Sequence, residues 1–241
     1  MYLSWLPENI STYGGEIDSL FRLIYYITLA WFIVTIGALL GFVLLFRRRD
    51  GQRAAYITGE KRSEVAWLLI PTALVLVLDL WIDFRGGDAW AKAKLHVPAS
   101  EVQVQVTAKQ FNWEILYPGP DGRFGTTDDL QIDNELHVPV DTVVGITLKS
   151  KDVIHSLFLP NLRLQQNAIP GRAFDTWFQA TRPGVFEIPC AELCGFGHSG
   201  MIGHLTVHTA EEYNKWVKEQ WPSATGEGDT TLNPLKKIDQ S

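Results

Sequence analysis

Between Ile24 and Phe46 the chain carries no charged residue, and as a helix rising about 1.5 Å per residue those 23 residues reach roughly 35 Å, enough to cross a bilayer. A second apolar run, Val65 to Ile82, is interrupted only by Pro71 and Asp79. Backbone groups freed by Pro71 need partners locally or on a neighbouring helix, so this run predicts a packed companion. Asp79 reads as an acid near the headgroup end. At Glu101 the period changes: Val102, Val104 and Val106 alternate with Glu101, Gln103 and Gln105, as in a strand with one buried face. Further β-rich runs at 142–149, 173–179, 184–189 and 202–208 are separated by turn formers, and this spacing predicts a sandwich or Greek-key barrel. Ala210–Trp221 reads as a surface helix, with Thr209 as N-cap and Glu212 completing a capping box.

These elements predict an order of parts: an irregular lead-in (1–18), a transmembrane hairpin (19–84), a linker marked by Gly86-Gly87 and Pro98 (85–100), an all-β domain (101–221) and a mobile tail (222–241). Charge orients them. Arg47, Arg48, Arg49, Arg53, Lys61 and Arg62 crowd the loop between the helices, which puts that loop in the cytoplasm and both termini outside. The first apolar run is too long for a cleaved signal peptide and has no basic segment before it, so it is expected to remain as an anchor. A net charge of −6 argues against nucleic acid and suits a basic protein partner.

The chemistry concentrates in Cys190-Ala-Glu-Leu-Cys194-Gly-Phe-Gly-His198-Ser-Gly-Met201. Thiolates and thioethers are soft ligands that favour Cu(I), and imidazole accepts either copper oxidation state. A single-copper electron-transfer site needs one Cys, two His and a weak Met, so the second Cys asks for an explanation, and two thiolates can each bridge two metal ions. His155, in Asp152-Val-Ile-His155-Ser156, is the candidate for the remaining strong ligand. Two blander readings stand beside this one. The only two cysteines could form a disulfide, which leaves His155, His198 and Met201 unexplained, or a zinc site of two Cys and two His, which has no use for Met201. The acid-rich turn from Pro118 to Asp129 lacks the spacing of an EF-hand loop and is assigned no site.

The motif Cys-x-Glu-x-Cys-Gly-x-x-His-x-x-Met with an upstream Asp-Val-x-His-Ser resembles the binuclear copper site of subunit II of haem–copper cytochrome c oxidases. The resemblance implies a two-helix transmembrane hairpin followed by an all-β cupredoxin-like Greek-key barrel. It implies that Cys190 and Cys194 bridge two copper ions, with His155 and Met201 completing one ion and His198 and the Glu192 carbonyl the other. The Glu192 side chain would then face a magnesium site shared with subunit I, although Asn167 stands where an acid supporting that site is expected. Gln110-Phe-Asn-Trp113 looks like the family's aromatic stretch over the copper, with Phe111 in the leading position usually held by Trp. Electron reception is therefore expected at Phe111 and Trp113 jointly. Glu64 is similar in position to the glutamate at the mouth of a proton channel, and Asp152 is expected at the donor-docking surface.

The implied activity is that of the copper subunit of a terminal oxidase, which takes electrons from a cytochrome c or a cytochrome-bearing donor complex and passes them to haem in subunit I, with subunit III a further partner. It would be an oxidoreductase through its complex, since oxygen chemistry resides in subunit I. The implied location is a bacterial cytoplasmic membrane or mitochondrial inner membrane, in contact with lipid, with the copper domain on the outer (periplasmic) face. The same module could serve a haem–copper nitric oxide reductase. A different class of function is a membrane-anchored copper carrier or sensor.

Overall fold

The computed structural model describes residues 6–51, 53 and 56–222. The chain divides into two compact units: residues 16–91, and a second comprising 1–15 and 92–241.

The first unit is a pair of long helices, α1 (Gly14–Leu45) and α2 (Arg62–Trp90), whose apolar side chains stand open to their surroundings. Both are long and apolar enough to cross a membrane, and uncovered apolar surface on this scale needs lipid or protein against it. Gly86 and Gly87, expected to end the hairpin, lie inside α2, which runs on into a π-helical turn at Ala91–Leu95. Glycine lowers helix stability by only about 1 kcal/mol against alanine, so the pair weakens the helix without breaking it. Residues 85–95 of the expected 85–100 linker are therefore helical.

Among the described residues, the second unit is built around ten strands. β1 (Val102–Lys109), β2 (Asn112–Tyr117), β3 (Leu130–Asp133), β5 (Val143–Ser150) and β8 (Phe174–Gln179) form a five-stranded sheet in the order β3-β2-β1-β5-β8. β4 (Glu135–Pro139), β9 (Gly184–Pro189) and β10 (Ile202–His208) form a three-stranded sheet in the order β4-β10-β9, and β6 (His155–Leu159) pairs with β7 (Leu164–Ala168). Alternation predicted the buried face of β1, and Val104, Val106 and Ala108 lie in the core with Ile146, Leu148 and Phe178. The expected barrel does not close into one continuous sheet; the strands form separate sheets around a shared core. One junction between them is Asn134, held in the left-handed region at φ 62°: its side-chain oxygen and its N–H bond Trp113 of β2, while its carbonyl accepts from His204 of β10.

Helix α3 (Ala210–Gln220) follows β10, and the Thr209–Glu212 capping box is formed in both directions. It seats Trp216 against His137 and Tyr117. His137 and His208, which the sequence left unassigned, meet at 2.9 Å between Nδ1 and Nε2. Their ring centroids are 5.2 Å apart, about one ring diameter more, so the imidazoles lie end to end in a shared hydrogen bond under the indole.

Residues 6–13, expected to be an irregular lead-in, are stitched into this second unit. Ile10 is buried in the β core, its N–H donates to Asn161, and its carbonyl accepts from Thr181. Ser11 bridges Ala180, and Glu8 forms a bidentate ion pair with Arg182. Ile10→Ala is expected to destabilise the β domain by about 2–5 kcal/mol, the usual range for such a core truncation. An unchanged thermal unfolding curve would mean that the strap is not part of the core. The tail expected over 222–241 lies, from 223 onward, outside the described residues.

Candidate metal centre

Strand ends and one loop converge to build the site. β6 opens with His155, and its Leu157 bridges Cys190 at the end of β9, while Ala191 N–H donates to Ser156. The chain then loops outward and returns as β10, with Cys190 N–H donating to the Met201 carbonyl to close the base of the loop. The sequence placed these residues far apart, and the sheet brings them together.

The two sulfurs stand 3.9 Å apart, nearly twice the ~2.05 Å of a disulfide, and both cysteines are free. Cys190 Sγ is 4.0 Å from His155 Nδ1, and Cys194 Sγ is 3.7 Å from His198 Nδ1 and 3.9 Å from Met201 Sδ. The Cys190 thiol donates to the Glu192 carbonyl at 3.2 Å, which aims that oxygen at the sulfur pair. Two thiolates sharing one ion at ~2.3 Å each are separated by at most ~4.6 Å, and the observed sulfur spacing fits within that limit. His155, Cys190 and Cys194 have their ligand atoms within 4.8 Å of one another, a grouping fit to hold a metal. The donor set of two thiols, two imidazoles and a thioether suits a soft metal. Burial, reinforced by neighbouring Cys190, pushes the Cys194 thiol up. A bound cation would act the other way, because thiolate is the metal-binding form.

Around these atoms the polar groups are already committed. His155 is fully buried, with Nε2 2.8 Å from Asp152 Oδ1, which leaves Nδ1 facing the sulfurs. This is the outer-shell carboxylate–histidine arrangement that fixes ring orientation at metal sites. Asp152 also accepts the N–H groups of Gln110 and Val153, each at 2.7 Å. Partial burial raises its carboxyl, but these donors and the imidazole outweigh burial and hold it below the usual carboxylate range. Asp152, expected at the donor surface, is exposed, with its oxygens hydrogen-bonded to Gln110, Val153 and His155. Next to it Glu114 is buried between Lys109 and Lys151, each at 2.5 Å, which ties the β1 end to the loop carrying Asp152.

Of the two aromatics expected to receive electrons, Trp113 is fully buried, its indole N–H donating to the Ile188 carbonyl and its ring standing edge-on to His155. Phe111 lies at the surface, its ring against the backbone of Gly195 and Gly197. Glu192 is exposed, as are Leu193 and Phe196 on the same loop. Glu64, in the other unit, accepts the Gly59 N–H at 2.8 Å in the first turn of α2. Sequence reasoning missed Gln110, whose side chain reaches the ligand loop; only its place beside Phe111 drew attention to the segment.

Fold and site together define a membrane-anchored, cupredoxin-like metalloprotein. The family model described as cytochrome c oxidase subunit II, periplasmic domain, matches residues 101–207. The chain belongs to the cytochrome c oxidase subunit II family. It is 29% identical over 242 residues to an alternative cytochrome c oxidase subunit 2 of Bradyrhizobium diazoefficiens, covering 91% of this chain and 86% of that protein. It is also 29% identical over 271 residues to cytochrome c oxidase subunit 2 of Thermostichus vulcanus, covering 91% and 80%. The periplasmic domain of subunit II of cytochrome oxidase from Bradyrhizobium japonicum is 30% identical and aligns with 52% of this chain and 97% of its own, with a TM-score of 0.47. Membership makes the chain a subunit of an oxidoreductase complex, anchored in the membrane with a periplasmic domain, in a copper-binding family.

Proposed function

We propose that this chain is the copper subunit of a terminal oxidase, receiving single electrons at the outer face and passing them to haem in subunit I for oxygen reduction coupled to proton translocation. The observation that carries the reading is a pair of reduced, buried sulfurs with two imidazoles, a thioether and a carbonyl arranged around them. Cys190 and Cys194 would hold two copper ions in common, with His155 and Met201 on one and His198 and the Glu192 carbonyl on the other. When bound, the copper pair supplies one-electron redox chemistry at ligands held by a folded scaffold.

The chain's own residues create the conditions for that chemistry. Asp152 holds the His155 ring with Nδ1 inward, and Trp113 walls that imidazole off from water. Met201 is fully buried, and both cysteines are nearly so. A carrier must hand over its metal, whereas burial on this scale favours retention. Phe111 is a surface aromatic seated on the loop backbone, which suits it to face a cytochrome c or a cytochrome-bearing complex, with Trp113 behind it. Exposed Leu193 and Phe196 suit contact with a partner chain. The arginine-rich loop between the two helices would lie in the cytoplasm. On that side Glu64 would stand at the mouth of a proton channel. At the subunit I interface the exposed Glu192 carboxylate would support magnesium.

Reductive titration of the purified complex tests the reading. The copper of this chain is expected to take up one electron per two ions, and Met201→Leu is expected to keep both ions while moving the midpoint potential, because the weak thioether tunes the site more than it anchors it. Uptake of one electron per copper ion, or loss of both ions from Met201→Leu, would contradict it.

A further inference from the structure

The ligand loop pairs directly with the strand bearing His155 at its base, and farther out Gln110 touches both the loop and the segment that leads into that strand. Gln110, in the turn between β1 and β2, donates its backbone N–H to Asp152 Oδ2 at 2.7 Å and its side-chain amide to the Cys194 carbonyl at 2.5 Å. Asp152 in turn holds His155. The following residue adds a second contact. The Phe111 ring lies so close to the loop that a Cβ at Gly197 would stand 2.6 Å from it, and one at Gly195 would stand 3.2 Å from the ring and 2.7 Å from the Gln110 amide nitrogen. Glycine at both positions is what admits this approach, and Gly195 also takes a φ of 137°, which side chains rarely adopt.

We infer that Gln110 is a positioning residue for the metal centre: its side-chain amide fastens the Cys194 carbonyl while its N–H steadies the Asp152 carboxylate, so that the two halves of the site are held in register. The inference rests on the copper reading above. Its physical content is a donor requirement. The loop between Cys190 and Met201 has few bonds of its own beyond its base and the short turn at His198–Gly200. A ligand sulfur on such a loop keeps its position only if the adjacent backbone is fixed, and the Gln110 amide fixes the carbonyl of that same residue. The side-chain oxygen of a glutamine could not do this, since the Cys194 carbonyl only accepts. Phe111, seated on the two glycines, covers the contact from outside.

The test separates hydrogen-bond donation from packing. Gln110→Met keeps the volume and loses the donor, and Gln110→Glu keeps the shape while setting an acceptor against a carbonyl. In the intact complex both variants are expected to lose copper to a chelator about tenfold faster than the unsubstituted protein, the lower end of the cost of removing an outer-shell partner, and to broaden the copper hyperfine spectrum. In the metal-free chain the amides of Gly195–Gly197 are expected to exchange hydrogen faster in both variants. Met and Glu variants that match the original in copper release, spectrum and exchange would overturn the inference. A complex in which the unsubstituted chain holds no paired copper would instead strike the copper reading, and the metal-free exchange rates would still decide for or against the clasp.

Discussion

Cys194→Ser is expected to abolish the paired-copper centre and to cut electron transfer through this chain by more than the ~10–100-fold that loss of an outer-shell partner costs. Cys194 is the hub of the site: its sulfur lies within 4.0 Å of Cys190 Sγ, His198 Nδ1 and Met201 Sδ, whereas Cys190 reaches His155 and the Glu192 carbonyl. Serine is close in shape but gives a hard, protonated hydroxyl in place of a soft thiolate, so the bridge is lost while the neighbours remain. The fold should survive, because burying one hydroxyl costs about 1–3 kcal/mol on mutational scales against a domain stability of about 5–15 kcal/mol. Copper analysis, the electron paramagnetic resonance spectrum and donor-driven turnover of the purified variant complex check this. A variant with unchanged spectrum and turnover would remove Cys194 from the bridge.

Trp113→Ala is expected to act through the scaffold and to be the most destabilising single truncation near the site, at about 3–5 kcal/mol. Trp113 is fully buried on β2, donates to Ile188 at the end of β9, exchanges two bonds with Asn134 and walls the His155 ring. Removing the indole opens a void where two sheets and a metal ligand meet, and takes one donor from the Ile188 carbonyl. The metal-free domain should therefore unfold at markedly lower temperature, and copper should restore part of the loss, because a ligand that binds only the folded state stabilises it by mass action. Trp113→Phe separates the two contributions, since it keeps most of the ring volume and loses only the hydrogen bond. Thermal unfolding of both variants with and without copper is the measurement. An Ala variant as stable as the original would mean that the indole is not a wall of the site.

Much of this molecule can be read from local pattern. The uncharged run at Ile24–Phe46, the alternation after Glu101 and the capping box at Thr209 each depend on neighbours in sequence, and each has its counterpart in α1, β1 and α3. The ligand loop was legible for the same reason, since its soft donors fall within a dozen residues. What local pattern could not show depends on partners far along the chain. Ile10 joins the β core through bonds to Asn161 and Thr181, which a short aperiodic segment does not announce. Strands β4, β6 and β7 are too short for alternation to stand out, yet β6 carries His155. Gly86-Gly87 reads as a break, but the residues after it favour helix and carry α2 onward. Gln110 and Asp152 act through hydrogen bonds that exist only once the β1–β2 turn, the His155 loop and the ligand loop have met.

The electron paramagnetic resonance spectrum of the oxidised complex, read with the copper content of this chain, bears most directly on the whole account. Two copper ions per chain sharing one unpaired electron, seen as hyperfine structure from two equivalent nuclei, is the result expected. Hyperfine structure from a single nucleus, or a Cys190–Cys194 disulfide in the active complex, would contradict it.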